Sequence, residues 1–174
     1  NREEMISRSG VNRRETLSFN AFEYVWKQAG YWALVVLPLD ELPATARENQ
    51  FAQSVLALEE SGHLSHAKIA YQTLVKHWPK NLIGQIGLGN TSYALGDLKS
   101  AKLALTQAIQ NHPESAMAHN NLAQVLADLG DMKEAIKTAE KAVGLGGPLL
   151  EETKATLKEI ELKERNLKLR SKKK

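Results

Sequence analysis

The sequence contains no cysteine, which excludes disulfides, thiolate metal sites and cysteine nucleophiles within its 174 residues. Long hydrophobic runs are missing as well. The longest, Tyr31 to Leu37, has seven residues, far short of the roughly eighteen that a membrane span needs. No signal peptide is visible; the chain opens on Asn, so a fragment or a processed product is expected, and the compartment stays open. Catalytic patterns are equally scarce. There is no Gly-x-Ser-x-Gly nucleophile turn. Glu59-Glu60 and Glu151-Glu152 are chain neighbours that point to different sides of a helix, so neither is an acid/base pair. Gly84-x-x-Gly87-x-Gly89 follows no strand, and Gly144-x-Gly-Gly147 lacks the Lys-Ser/Thr of a phosphate loop. His63 and His66 have the spacing of a metal pair, but no matching carboxylates or cysteines join them. No catalytic residue, metal or cofactor is therefore expected.

What is present is a period of 34 residues. Gly62, Gly96 and Gly130 keep that step, as do Ala67, Ala101 and Ala135, Asp97 and Asp131, and Pro79 and Pro113. Such a period means stacked helix pairs, each burying its apolar face only against its neighbour. With the turn glycine at position fifteen, three units run 48–81, 82–115 and 116–149. Small residues at position eight (Val55, Gly89, Ala123) and position twenty let antiparallel helices approach closely. The glycine ends the first helix in a left-handed conformation. Asp97 and Asp131 are placed to cap the second helix, and the proline stops it.

On these residues the chain resembles the tetratricopeptide repeat family over residues 48–148. The resemblance includes Ala108 and Ala142 at position twenty-seven and implies an α-solenoid of three helix pairs, all-α over most of the chain. The pattern departs where the usual aromatic at position four is Gln85 or His119 instead of Phe51, and where Gly144-Leu-Gly-Gly-Pro148 brings the proline one place late. Looser packing is expected at that end. Residues 149–174 follow as a capping helix and basic tail, with Leu150, Leu157, Ile160 and Leu167 on roughly one face.

The net charge of +3 is unevenly spread. Glu161 to Lys174 hold seven Lys/Arg against two Glu, leaving the rest of the chain slightly acidic. Lys172–Lys174 read as a solvated terminus, with an anionic membrane surface as the alternative. Nucleic acid is disfavoured because the tail has no aromatics for base stacking.

Residues 1–43 leave the 34-residue register. Weak alternation around Ser9-Gly-Val-Asn12 predicts a hairpin, Ser18 an N-cap, Phe19 to Ala29 a helix, and Tyr31 to Leu37 a buried strand. Through Ser9-Gly10, Arg13-Arg14, Leu17-Ser18, Phe22, Trp26, Gly30-Tyr31-Trp32 and Ala33 to Pro38, this N-terminal β/α segment is similar to the C-terminal end of bacterial C39-like, papain-like peptidase domains. That family's nucleophile and His lie upstream of the matching stretch, so activity is not carried over. Phe19, Phe22, Trp26 and Trp32 need cover, and are expected to dock on the solenoid's first helix or on another chain.

The repeat resemblance also implies a concave face built from the first helix of each unit. The groove residues are then Asn49, Gln53, Leu56, Ile83, Ile86, Asn90, Tyr93, Met117, Asn120, Asn121 and Gln124. Amides carry both donor and acceptor, which suits the backbone of an extended peptide. The family's clamp for chaperone C-terminal carboxylates is not expected to operate, because Ala52, Leu56, Met117 and Asn121 stand at its places. The expected function is a non-catalytic interaction module for a peptide or partner protein. The alternatives are the C-terminal part of a C39-like peptidase and a self-associating scaffold.

Overall fold

The computed structural model describes residues 4–9, 12–18, 38–42 and 46–171, and the chain divides into two units, 1–36 and 37–174. In the first unit, strands β1 (Glu4–Ser9) and β2 (Asn12–Ser18) pair antiparallel, with Met5 opposite Leu17 and Ile6 opposite Thr16. Their register is irregular between Ser7 and Ser9. The helix and apolar strand expected over residues 19–37 lie outside the described residues, with Phe19, Phe22, Trp26 and Trp32 among them, and so does the tail Lys172–Lys174.

The second unit is helical. Three pairs follow one another: α1 (Glu48–Glu60) with α2 (Leu64–His77), α3 (Leu82–Ala94) with α4 (Leu98–Asn111), and α5 (Ala116–Asp128) with α6 (Met132–Leu145). A single long helix, α7 (Leu150–Ser171), closes the array. The starts of α1, α3, α5 and α7 are spaced by 34 residues, so α7 occupies the place of a fourth unit's first helix.

Short polar side chains and glycines set these limits. Asn81 Oδ1 accepts the Gly84 N–H at 2.7 Å, and one step later Ser115 Oγ accepts the Ala118 N–H at 3.2 Å. Asp97 caps α4 through the Ser100 N–H at 3.1 Å. Asp131 departs from its expected role: it makes no capping bond to α6, and its carboxylate takes Lys102 Nζ at 3.0 Å. At the other helix ends Gly96 and Gly130 adopt φ of +77° and +87°. There the Gly96 N–H bonds the Tyr93 carbonyl and the Asp97 N–H bonds the Ser92 carbonyl, satisfying acceptors the helix leaves open. Gly130 and Asp131 repeat both bonds on Ala127 and Leu126.

Close approach of the paired helices depends on small residues. Ala67, Ala101 and Ala135 are all fully buried. A Cβ on Gly89 would lie 2.6 Å from Leu105 Cγ, so this glycine is what admits the Leu105 side chain between α3 and α4. At position four the first unit packs Phe51 on Trp78, their ring centroids 6.2 Å apart. The later units place buried polar side chains there. Gln85 Nε2 donates to the Pro79 carbonyl at 2.6 Å, and His119 Nε2 meets the Pro113 carbonyl at 3.0 Å, both side chains being buried. A polar side chain thus replaces aromatic packing by tying each unit to the proline that ended the one before. Lys68–Asp97 (2.7 Å) and Lys102–Asp131 (3.0 Å) add a second link at the same step.

First helices touch one another (α1 with α3, α3 with α5, α5 with α7), whereas no second helix contacts another second helix. The array therefore curves with first helices on its inner face. Ile160 and Thr153 of α7 are buried against the last pair, and Leu157 packs on the same cluster. Leu167 departs from the expected buried face and is exposed along with Leu162 and Leu169. At 22 residues α7 is longer than any helix it packs on, so its last turns extend past them. Among the described residues no helix is long and apolar enough to cross a membrane.

Candidate functional site

The inner face presents the outward positions of α1, α3 and α5. On α1, Asn49 and Gln53 are exposed and Leu56 half-buried. Ile83 and Met117 are exposed at the starts of α3 and α5. Asn90 and Tyr93 on α3, and Asn121 and Gln124 on α5, are half-buried and face a common space. Ile86 is not a groove residue: it turns into the seam with Ala108 and Ala118 and is only 7% exposed. Ala52, the equivalent residue one unit earlier, is likewise buried.

Five of the expected residues, Asn90, Tyr93, Asn120, Asn121 and Gln124, surround a cavity of about 300 Å³. Leu105 of α4 and Val125 of α5, both buried, contribute apolar lining, and Thr156 of α7 completes the wall. The amides are ordered among themselves. Asn121 Nδ2 donates to Asn90 Oδ1 at 2.8 Å, linking α5 to α3, and Asn120 Nδ2 points to Asn121 Oδ1 at a long 3.5 Å. Asn120 is buried, and its Oδ1 has no hydrogen-bond partner among the described residues.

A second chain of bonds crosses three first helices beside the cavity. Tyr93 Oη donates to Asp128 Oδ2 at 2.5 Å, and Lys163 Nζ of α7 donates to Asp128 Oδ1 at 2.6 Å. The bond to Asp128 is the main cause that holds the Tyr93 phenol above its ordinary value, with burial adding to it. Burial alone would raise the Asp128 carboxyl, but the bonds from Lys163 and Tyr93 outweigh it and hold the group ionised. Tyr93 is thus committed as a donor, and apart from it no ionisable side chain among the described residues lines the cavity.

Next to this region α3 lacks side-chain bulk at Gly87. A Cβ there would lie 2.1 Å from the Tyr71 ring, which occupies the space from below and donates its hydroxyl to Glu59 at 2.6 Å. The histidine pair stands apart, with His63 and His66 exposed and Ser61 Oγ bonded to His63 Nδ1 at 2.8 Å. Sequence reasoning missed Leu105, Val125, Thr156 and Lys163. The signal for the last two was available: Leu150 continues the 34-residue spacing of helix starts, which brings α7 to the inner face.

The geometry defines a helix-pair solenoid with its inner face lined by first helices. Residues 86–148 match the family model for the tetratricopeptide repeat. Among solved structures, it is similar to the first such repeat domain of Spaghetti (RPAP3) bound to an HSP90 peptide, at 16% identity and a TM-score of 0.61, covering 66% of this chain and 90% of that one. The TPR2B domain of yeast Sti1 in its Hsp70 complex gives 15% identity and a TM-score of 0.62, covering 66% of this chain and 96% of that one. The Yersinia enterocolitica type III secretion translocator chaperone SycD gives 20% and 0.64, covering 73% and 91%. At these identities the likeness is one of fold. No curated protein gives a significant sequence match.

Proposed function

We propose that this protein is a non-catalytic interaction module that holds an extended segment of a partner protein along the inner face of its repeats. The observation that carries the reading is the cluster of Asn90, Asn121 and Gln124 around an open cavity on facing first helices. Amides present donors and acceptors without charge, which matches the alternating N–H and C=O of an extended backbone. Structural neighbours bound to an HSP90 peptide and, for SycD, to a peptide of the translocator YopD, support binding of this kind. A carboxylate-terminated chaperone tail is not the proposed ligand. Ala52 is fully buried, Leu56 and Met117 are apolar, and among the described residues no lysine or arginine lines the cavity to pair with an acid.

Peptides selected from a random display library on the full chain test the reading. Their affinity is expected to fall about tenfold on Asn90→Ala or Gln124→Ala, the scale of one lost hydrogen bond in a desolvated site. Affinity unchanged in both variants would overturn it. The resemblance of residues 1–43 to the end of a C39-like peptidase domain supports a second reading, in which the repeats position substrates or partners for such an enzyme. A Cys and His in papain-like context within the same reading frame would support it; a frame without them would exclude it.

A further inference from the structure

Helix α7 carries a face that the packing of the array does not use. At about 100° per residue, Leu162 and Leu169 stand on the side opposite Ile160, the residue that α7 buries against the last pair. The two leucines are 48% and 54% exposed. Lys158 and Arg165 share their arc of about 60°, and both are exposed. Leu162 also borders two shallow hollows, one lined by Lys158 and Arg165, the other by Leu167 and Arg170. Among the described residues no carboxylate pairs with Lys158, Arg165 or Arg170, whereas Asp128 holds Lys163 and Glu164 holds Lys168. Beyond Glu164 the sequence has six Lys/Arg and no acid through Lys174.

We propose that this face of α7 seats the protein on an anionic lipid surface. The helix lies along the headgroups, its two leucines enter the acyl boundary, and its basic residues meet the negative charge of the lipids. The inference stands apart from the groove reading, since α7 contributes Thr156 to the cavity and not these residues. Charge complementarity chooses the surface: a cluster of Lys/Arg on a helix is drawn to an anionic membrane. The leucines add apolar contact that headgroup charge alone does not provide. Long Lys and Arg stems keep the charge at headgroup level while the leucines sit deeper. With its many charges α7 lies on the membrane and does not cross it. Other occupants meet one requirement and fail another. For a second copy, Leu162 and Leu169 have the seven-residue spacing of a coiled-coil seam, but Lys158 and Arg165 fall at its alternate positions, where two like chains repel. Nucleic acid pairs with the charge yet leaves both leucines in water, and this stretch has no aromatic ring on which bases could stack.

The test sediments the full chain with vesicles of phosphatidylcholine alone and with vesicles in which about one-third of the lipid is phosphatidylserine. Binding to the anionic vesicles is expected to be at least about tenfold tighter, and to weaken at least about tenfold between ~0.1 and ~0.5 M salt as the charges are screened. The double variant Leu162→Gln/Leu169→Gln keeps the charge and alters only exposed side chains. It is expected to weaken binding to the anionic vesicles at least about fivefold, through lost apolar contact. Lys158→Gln/Arg165→Gln keeps the leucines and is expected to weaken it at least about tenfold. Equal binding to both vesicles, binding to neither, or either double variant binding like the unmodified chain would each overturn the proposal. Light scattering and duplex DNA separate the other occupants. A dimer that the leucine variant abolishes, or DNA binding, in a chain that leaves the vesicles unbound, would give the face to a second copy or to nucleic acid and overturn it as well. The vesicle comparison on the unmodified chain stands whether or not either variant folds.

Discussion

Single atoms decide several positions in this fold. Gly87 and Gly144 are both helical glycines, yet their surroundings are opposite: a Cβ at Gly87 enters the Tyr71 ring, and one at Gly144 meets nothing within 4 Å. Gly87→Ala is therefore expected to destabilise the protein by about 1–3 kcal/mol through overpacking. Gly144→Ala is expected to stabilise it by up to about 1 kcal/mol through lower unfolded-state entropy and better helix propensity. Paired thermal melts read both signs. Tyr71 itself carries a pH signature, because burial first, then its bond to Glu59, raises its phenol above the ordinary value. The folded state keeps a proton that the unfolded chain gives up near pH 10. Stability is then complete below about pH 10 and declines as the pH rises beyond it. Tyr71→Phe removes this decline, as urea titrations on either side of pH 10 would record. At the acid end Asp97 behaves oppositely. The Lys68 bond, then those from Ser100, hold its carboxyl well below the usual range, so its contribution persists above the ordinary carboxylate pKa and fades only as the pH falls beneath it.

Elements follow from the same residues repeated. The spacing of Gly62, Gly96 and Gly130 located the turns, because a left-handed cap leaves a glycine at a fixed place in every unit. Burial at positions eight and twenty was legible for a related reason: close helix pairs admit only small side chains there. The amide bonds to proline carbonyls were not legible. Gln85 and His119 look like lost aromatics in sequence, and only the path of the preceding turn shows an acceptor within their reach. Asp131 makes no cap although Asp97, which holds Lys68 in the same way that Asp131 holds Lys102, does, and local pattern does not separate the two. Leu167 misled for another reason, since periodicity gives a side chain's direction but not whether a neighbouring helix is long enough to meet it. For α7 the buried anchor is Ile160. Ile160→Ala is expected to cost about 2–5 kcal/mol and to expose the seam of α5 and α6 to proteolysis, while Leu162→Ala, on an exposed residue, stays within about 0.5 kcal/mol. Chemical denaturation of the two variants compares them directly.

At the scale of the molecule, contacts among first helices and their absence among second helices give the array an inner and an outer face. Repeat registry puts Asn90, Tyr93, Asn121 and Gln124 on one face, and these four residues line the same cavity. It erred on Ile86, since which of two adjacent groove positions turns inward depends on how closely neighbouring units stack. The outer face has apolar residues of its own, with Ile69 and Leu103 exposed 34 residues apart on successive second helices. The account is therefore tested most directly by mapping where a bound peptide touches the protein. Amide shifts of the ¹⁵N-labelled chain, recorded as a display-selected peptide is added, are predicted to concentrate on α3 and α5 around Asn90, Asn121 and Gln124. Shifts concentrated on α2 and α4 around Ile69 and Leu103, with those three amides unmoved, would contradict it.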